Sequence, residues 1–436
     1  MTAEIAILNK TAIALAADSA VTITGGIQGD SKIYNSVNKL FALSKYEPVG
    51  IMIYDGATLM GLPWETIIKV YRKQLGSHNF ENLEDYAQNF IDFLQNFFSE
   101  ETQTEYVKTL LYGYFYSLRN QIDEKVNSYI ENNGEINEAQ TISVVEDIVG
   151  KEYEKWHKQK TIQSILNDNQ FFENFQNKYQ SLIYSILDET ETLKGMRVSE
   201  TTINKINQIS YYIFSKEILI NKTGLIIAGF GDKEIYPSLL CYEIECVVNN
   251  RLKYINITQK SSSIDSNESA SIIPFAQDDM ISTFVEGVDP DLNSFYNYYL
   301  KRIIQTYSGL VLEAVDSLEN FPHKSEVKSQ LETKLNEINQ ELVDTYQQDT
   351  LKYRKEEHIN PILNAVEFLP KDELAAMAEA LINLTSLKRK VSTVQETVGG
   401  PVDVAVISKG DGFIWIKRKH YFKPELNHQF FRNYFE

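Results

Sequence analysis

The chain lacks the residues from which several chemistries usually start. Its 436 residues include only two cysteines, and both fall in one strand-like stretch, Leu239-Leu240-Cys241-Tyr242-Glu243-Ile244-Glu245-Cys246. Their odd spacing predicts opposite faces of a strand, which disfavours a local disulfide or a two-thiol metal pair and leaves two buried structural thiols. The six histidines, His78, His157, His323, His358, His420 and His428, show no ligand spacing, so neither a metal nor another cofactor is expected. Basic residues are short as well. Against 60 Asp and Glu stand 42 Lys and Arg, a net charge of −18. With no cationic surplus to neutralise phosphates, nucleic acid is not an expected partner. No apolar run approaches membrane-spanning length, and Glu4 and Lys10 interrupt what would have to be the apolar region of a signal peptide. A cytoplasmic protein with no membrane partner is the expectation. Internal repeats and low-complexity segments are absent.

What is present is apolar content enough for a large core: 43% of the residues are hydrophobic and 12% aromatic. Short apolar runs predict strands at 3–8 and 12–17, joined by Asn9-Lys10-Thr11 as a turn, and again at 37–43 and 49–54. Thr24 to Asp30 reads as a glycine loop, and a helix follows from about Ala57 to Leu75, with Pro63 at a break or a fresh first turn. From about 80 to 215 the pattern is helical: Leu83, Tyr86, Ala87, Phe90, Ile91 and Leu94 share one face. Strands return over 224–257, helices over roughly 278–390, and a closing hairpin over 401–416 turns at Lys409-Gly410-Asp411-Gly412. Within the second helical block Val327, Leu331, Leu335, Ile338, Leu342 and Tyr346 approximate a heptad seam, as in a long antiparallel helical hairpin. The basic, aromatic tail from Lys417 is expected to pack over a sheet edge.

Strands clustered at the two ends and the middle, with helices between, predict a layered α+β protein of two antiparallel sheets with helices outside. The chain partitions as 1–80, 216–290 and 376–436 for the core, with helical insertions at 81–215 and 291–375.

The opening stretch carries the chemistry. A threonine stands directly behind the initiator methionine, and methionine is commonly removed when the next residue is small. Thr2 would then hold a hydroxyl and a free α-amine together, a weak nucleophile activated by its own amine. The run that follows ends in Ala16-Ala17-Asp18, and downstream come Asn38-Lys39-Leu40-Phe41 and Gly50-Ile51-Met52-Ile53-Tyr54-Asp55-Gly56-Ala57.

These segments resemble a proteasome β-type subunit, including its bacterial relatives, within the N-terminal nucleophile (Ntn) hydrolases. Gly224 to Gly229 resembles the family's middle strand, and Gly399-Gly400-Pro401-Val402-Asp403-Val404 through Gly412 resembles its closing strand pair. A little under half of the chain is covered. The resemblance implies a four-layer αββα sandwich and a threonine-type hydrolase acting on a polypeptide or other amide substrate. Thr2 would be the nucleophile, Asp18 and Lys39 its charge partners, and the backbone N–H at Asp55 or Gly56 the oxyanion donor. It implies no cofactor, a homo-oligomer, and an ATPase as regulatory partner. Where the family carries an aspartate and a serine before the last Gly-Gly, this chain has Gln395 and Val398. That departure favours an alternative, a catalytically inactive scaffold or assembly protein working through its helical insertions.

Overall fold

The computed structural model describes residues 3–24, 31–34, 37–166, 168, 170–193, 196–317, 322–392, 399–429 and 432. Thr2, Gln395 and Val398, and most of the expected loop 24–30, therefore lie outside the described residues. The chain divides into two compact units, one of residues 1–37, 263–408 and 414–436, the other of 38–262 and 409–413.

The first unit opens with β1 (Ala3–Asn9) and β2 (Ile13–Ala17), the expected antiparallel hairpin, paired from Glu4↔Ala17 to Leu8↔Ile13. Asn9 makes the turn. Its Oδ1 accepts from the Thr11 and Ala12 amides and the Thr11 hydroxyl, and its Nδ2 donates to the carbonyls of Val366 and Leu369. Beyond Ala17 the chain does not simply prolong β2. It forms a separate ribbon of β3 (Val21–Thr24) and β4 (Ser31–Tyr34), the second of which the sequence pattern did not show.

The second unit holds β5 (Leu40–Ala42), β6 (Val49–Asp55), a small hairpin of β7 (Thr58–Leu59) and β8 (Leu62–Pro63), and helix α1 (Trp64–Leu75). The helix thus begins at Trp64 rather than 57, because Pro63 with ψ 132° ends the hairpin and caps the first turn. Then come α2 (Leu83–Phe97), α3 (Glu100–Asn133), α4 (Glu138–His157), α5 (Gln163–Leu166), α6 (Phe171–Glu189) and α7 (Glu200–Ser215), which confirm the helical block. Strands β9 (Thr223–Gly229), β10 (Ser238–Val248) and β11 (Arg251–Asn256) complete an antiparallel sheet in the order β11-β10-β9-β6-β5, with the two-residue β12 (Ser262–Ser263) beside β10. Ile51, Ile53, Leu225, Ile227 and Ile244 pack against Ile67, Tyr71, Phe90 and Leu94 of α1 and α2. The longer helices make a second core around Phe115, Trp156, Phe175 and Phe214. A buried ion pair ties the sheet to α7: Lys253 Nζ, at 2.6 Å from Glu245 Oε2, also donates to the carbonyls of Ile213 and Ile218.

A bulge between Ile244 and Cys246 shifts the alternation of β10 by one residue. Tyr242, Ile244 and Val247 keep to the α1–α2 side, so Cys246 turns to the other face, the face of Cys241. The expectation of opposite faces fails for that reason. Both thiols are nevertheless free and buried, about 16 Å apart along the strand.

The first unit resumes with β13 (Ala270–Ala276), which pairs along the whole of β1 and was not anticipated as a strand. Helices α8 (Asp279–Glu286), α9 (Pro290–Ser317), α10 (Lys324–Arg354), α11 (Asn360–Glu367) and α12 (Lys371–Val391) follow, then β14 (Asp403–Ser408) and β15 (Gly412–Lys417). Its antiparallel sheet runs β13-β1-β2-β14-β15. Helix α12 lies across β1, β2 and β14, where small residues on both sides (Ala14, Ala16, Ala375, Ala378) permit a close approach. The tail is anchored at the start of β14, one strand in from the sheet edge: Lys419 donates to Asp403 through both its amide and its Nζ. The protein is thus α+β, with an antiparallel sheet in each unit.

Asn9 is fully buried and holds the β1–β2 turn to the end of α11. Asn9→Ala should leave backbone groups unpaired and destabilise this unit by about 2–3 kcal/mol, read as a lowered urea midpoint; an unchanged midpoint would remove this bridge from the account.

Candidate functional site

Each expected site residue belongs to one of the two units. In the first, Asp18 sits just past the end of β2 and is 1% exposed. Its backbone continues the hairpin ladder, since its amide donates to the Ala3 carbonyl at 3.1 Å. Its carboxylate works in two directions. Oδ1 accepts from the Ala3 amide at 3.2 Å, and Oδ2 accepts from the Gly399 amide at 3.0 Å. Ser19 reinforces the second link: its amide donates to the Gly399 carbonyl at 3.3 Å, and its hydroxyl donates to the Pro401 carbonyl. The carboxylate is thereby fixed beside the residue that follows Thr2 and beside the Gly-Gly segment that leads into β14.

Two further acidic side chains share that end of the sheet. Glu4, Ala17 and Asp403 lie directly opposite one another across β1, β2 and β14. Ala3 and Ile5, Ala16, and Val404 face the helices, so by alternation Glu4 and Asp403 lie on the other face, and both are buried. Sequence reading treated them as ordinary strand residues. The available signal was a Glu and an Asp inside otherwise apolar, two-periodic strands.

In the second unit Lys39 directly precedes β5 and is 3% exposed. Its carbonyl accepts from the Ile53 amide at 2.9 Å, which sets it opposite the end of β6. The preceding Asn38 is moored to α1 by a 3.1 Å hydrogen bond to Glu65. Burying a lysine is costly, so the position is a demanding one for this residue type. Two residues beyond Ile53, Asp55 ends β6 with φ 62°, the left-handed region that glycine favours. Gly56 is needed for a different reason: a Cβ there would come within 2.3 Å of Thr223 Oγ1. Lys39 and the Asp55-Gly56 turn therefore occupy the same end of neighbouring strands. Asp18 belongs to the first unit, and Thr2 lies outside the described residues.

The thiol nearest this turn is not a rival nucleophile. Cys241 Sγ lies 3.6 Å from the Tyr54 hydroxyl, and burial pushes the thiol up to about 11. Burial likewise drives the Tyr54 hydroxyl far above its ordinary value, so both groups stay protonated at neutral pH. Tyr54 fits over β9 because its partner is Gly224, where any Cβ would strike its ring. Among the described residues no cluster of three or more His, Cys, Asp and Glu side chains is arranged to hold a metal ion. No helix among them is long and apolar enough to cross a membrane.

Comparison with models of known protein families and a search of curated proteins find no match to this chain.

Two outcomes check this geometry. Asp18→Ala removes the acceptor of two buried amides, each bond being worth about 1.5–3 kcal/mol when the acceptor is charged. Hydrogen exchange in peptides covering Ala3 and Gly399 should accelerate by one to two orders of magnitude, and unaltered exchange would exclude the carboxylate as their anchor. Burial pushes the Cys241 thiol up to about 11 and the Cys246 thiol well above its ordinary range, so iodoacetamide at pH 8 should label neither until the chain is unfolded; rapid labelling of the folded protein contradicts their burial.

Proposed function

We propose that this protein is a threonine-type Ntn hydrolase that cleaves a peptide or other amide bond. The observation that carries the reading is the buried Asp18 carboxylate, bound to the amide of Ala3 immediately behind the expected nucleophile and to that of Gly399. An ordinary strand-end aspartate would lie in solvent. This one anchors the start of β1 at the spacing from Thr2 on which the resemblance rests.

In this reading Met1 is removed and Thr2 Oγ attacks the substrate carbonyl carbon. The hydroxyl proton passes to the α-amine, whose unperturbed pKa of about 7.7–8.0 suits a general base at neutral pH. The charge of Lys39 beside that amine keeps it unprotonated, and Asp18 balances the lysine. The backbone N–H at the Asp55-Gly56 turn stabilises the tetrahedral oxyanion. As the C–N bond breaks, the leaving nitrogen takes the proton from the amine. Water then attacks the threonine ester and gives a proton to the same amine, which passes it to Thr2 Oγ as the C–O bond breaks, releasing the carboxylic acid with Thr2 restored.

The proposal extends to the fold, with the two sheets stacked as the inner layers of an αββα sandwich. Its support is that each unit holds an antiparallel sheet with helices packed on a face of it. Gln395 and Val398 favour the second reading, a proteasome-like scaffold without catalysis.

Mass spectrometry of the purified chain, alone and after an epoxyketone or β-lactone probe, separates the two. The hydrolase reading expects Met1 to be absent and one adduct on Thr2, lost in Thr2→Ala and formed roughly 10²–10⁴-fold more slowly in Lys39→Ala. Retained Met1, or a free Thr2 that takes no adduct, leaves the scaffold.

A further inference from the structure

The helical hairpin of α9 and α10 carries an apolar surface that its own intramolecular contact does not use. The inner seam falls on Asn297, Leu300, Ile304, Ser308, Val311 and Val315, the less exposed positions of α9, and Ser308 donates to Asn339 of α10 at 2.9 Å. The seam expected from the sequence is corrected by this: Leu331 and Leu335 are half-buried, but Ile338 and Leu342 are 40% and 52% exposed, because α10 turns Asn339 and Val343 inward instead.

Beside the inner seam, α9 presents a second stripe: Leu292, Tyr296, Tyr299, Ile303, Tyr307 and Leu310, each 43–66% exposed. None is charged, and the spacing of four and three residues keeps them on one face. The stripe is also symmetric about Ile303. Tyr299 and Tyr307 lie four residues to either side, Tyr296 and Leu310 seven, and Leu292 and the exposed Ala314 eleven. A two-fold pair requires residue i to meet j while j meets i. An antiparallel crossing of two α9 helices at Ile303 satisfies that along the whole stripe: Tyr299 meets Tyr307 of the other copy, Tyr296 meets Leu310, and Leu292 meets Ala314. A groove of about 590 Å³ beside Tyr299, Ile303 and Tyr307 offers room for the incoming side chains.

The area is adequate. At roughly half exposure these side chains, with Phe295, Ile338 and Leu342, offer about 800 Å² per copy, near what one partner contributes to a standard stable interface. We infer that this face of α9 binds a second copy of the chain, making a two-fold dimer through an antiparallel α9 pair centred on Ile303. The inference does not depend on the hydrolase reading.

Light scattering on the full chain at tens of micromolar should give about twice the 50.1 kDa chain mass. Ile303→Arg should give a monomer with an unchanged circular dichroism spectrum, because the replaced side chain is solvent-facing. Arg302 stands at the edge of the stripe, one residue from the two-fold centre, so the two copies' guanidinium groups flank the crossing on the same side and added salt should maintain or tighten the dimer rather than dissolve it. Cysteine substitution tests the crossing itself. Ile303→Cys should form a disulfide-linked dimer under mild oxidation. Tyr299→Cys alone should not, whereas a mixture of Tyr299→Cys and Tyr307→Cys chains should give the mixed dimer. A monomeric wild type, a dimer indifferent to Ile303→Arg, or cross-linking of Tyr299→Cys with itself would each overturn the inference. So would a monomer whose stripe binds anionic phosphatidylserine vesicles instead.

Discussion

One buried carboxylate holds the first unit's sheet in register with what leads into it. Asp18 lies at the end of β2, yet its two oxygens serve residues at opposite ends of the chain, Ala3 and Gly399. A charged acceptor with two amide donors is stronger than a neutral one, and its loss strands both donors among buried residues. Everything on that side of the sheet follows from it. The start of β1 cannot fray without breaking the first bond, and the Gly399-Gly400 turn cannot move without breaking the second, so β14 arrives beside β2 with Asp403 opposite Ala17. The tail then uses Asp403 as its own anchor through Lys419.

The strand hairpin, the helical blocks and the closing strands were legible because their signals are local. Asn9 supplies a turn, Gly134 with φ 87° ends α3, and the apolar face of α2 follows one period. The misses share a cause: each depends on a neighbour remote in sequence. Residues 270–276 have no sequence neighbour to pair with and become a strand only against β1, and a proline in their midst weakens the strand pattern. Cys241 and Cys246 share a face because of a bulge opposite β11, which no alternation rule reveals. In α10 the heptad template chose Ile338 and Leu342 by hydrophobicity, while the packed seam accepts Asn339 because Ser308 satisfies it.

The candidate site is legible to a different degree. Asp18 and Lys39 were picked out by motif context, and the structure shows each to be buried, a property that sequence does not carry for charged residues. Glu4 and Asp403 were invisible as a pair because they are 399 residues apart in the chain and meet only through the register of β2.

Asp55 is the place where local preference and observed backbone disagree most usefully. A non-glycine residue at φ 62° costs about 1 kcal/mol or more, and nothing in the composition of β6 demands it. Aspartate is one of the few side chains that tolerates this region, by bonding locally. The turn is maintained because Gly56 must pass Thr223 closely, and because Thr223 pairs with Asp55 across the ladder. Two constraints from β9 thus impose a glycine-like conformation on an aspartate. In the proposed hydrolase the backbone N–H at this turn is the oxyanion donor, a role that asks for a backbone shape and not for a particular side chain.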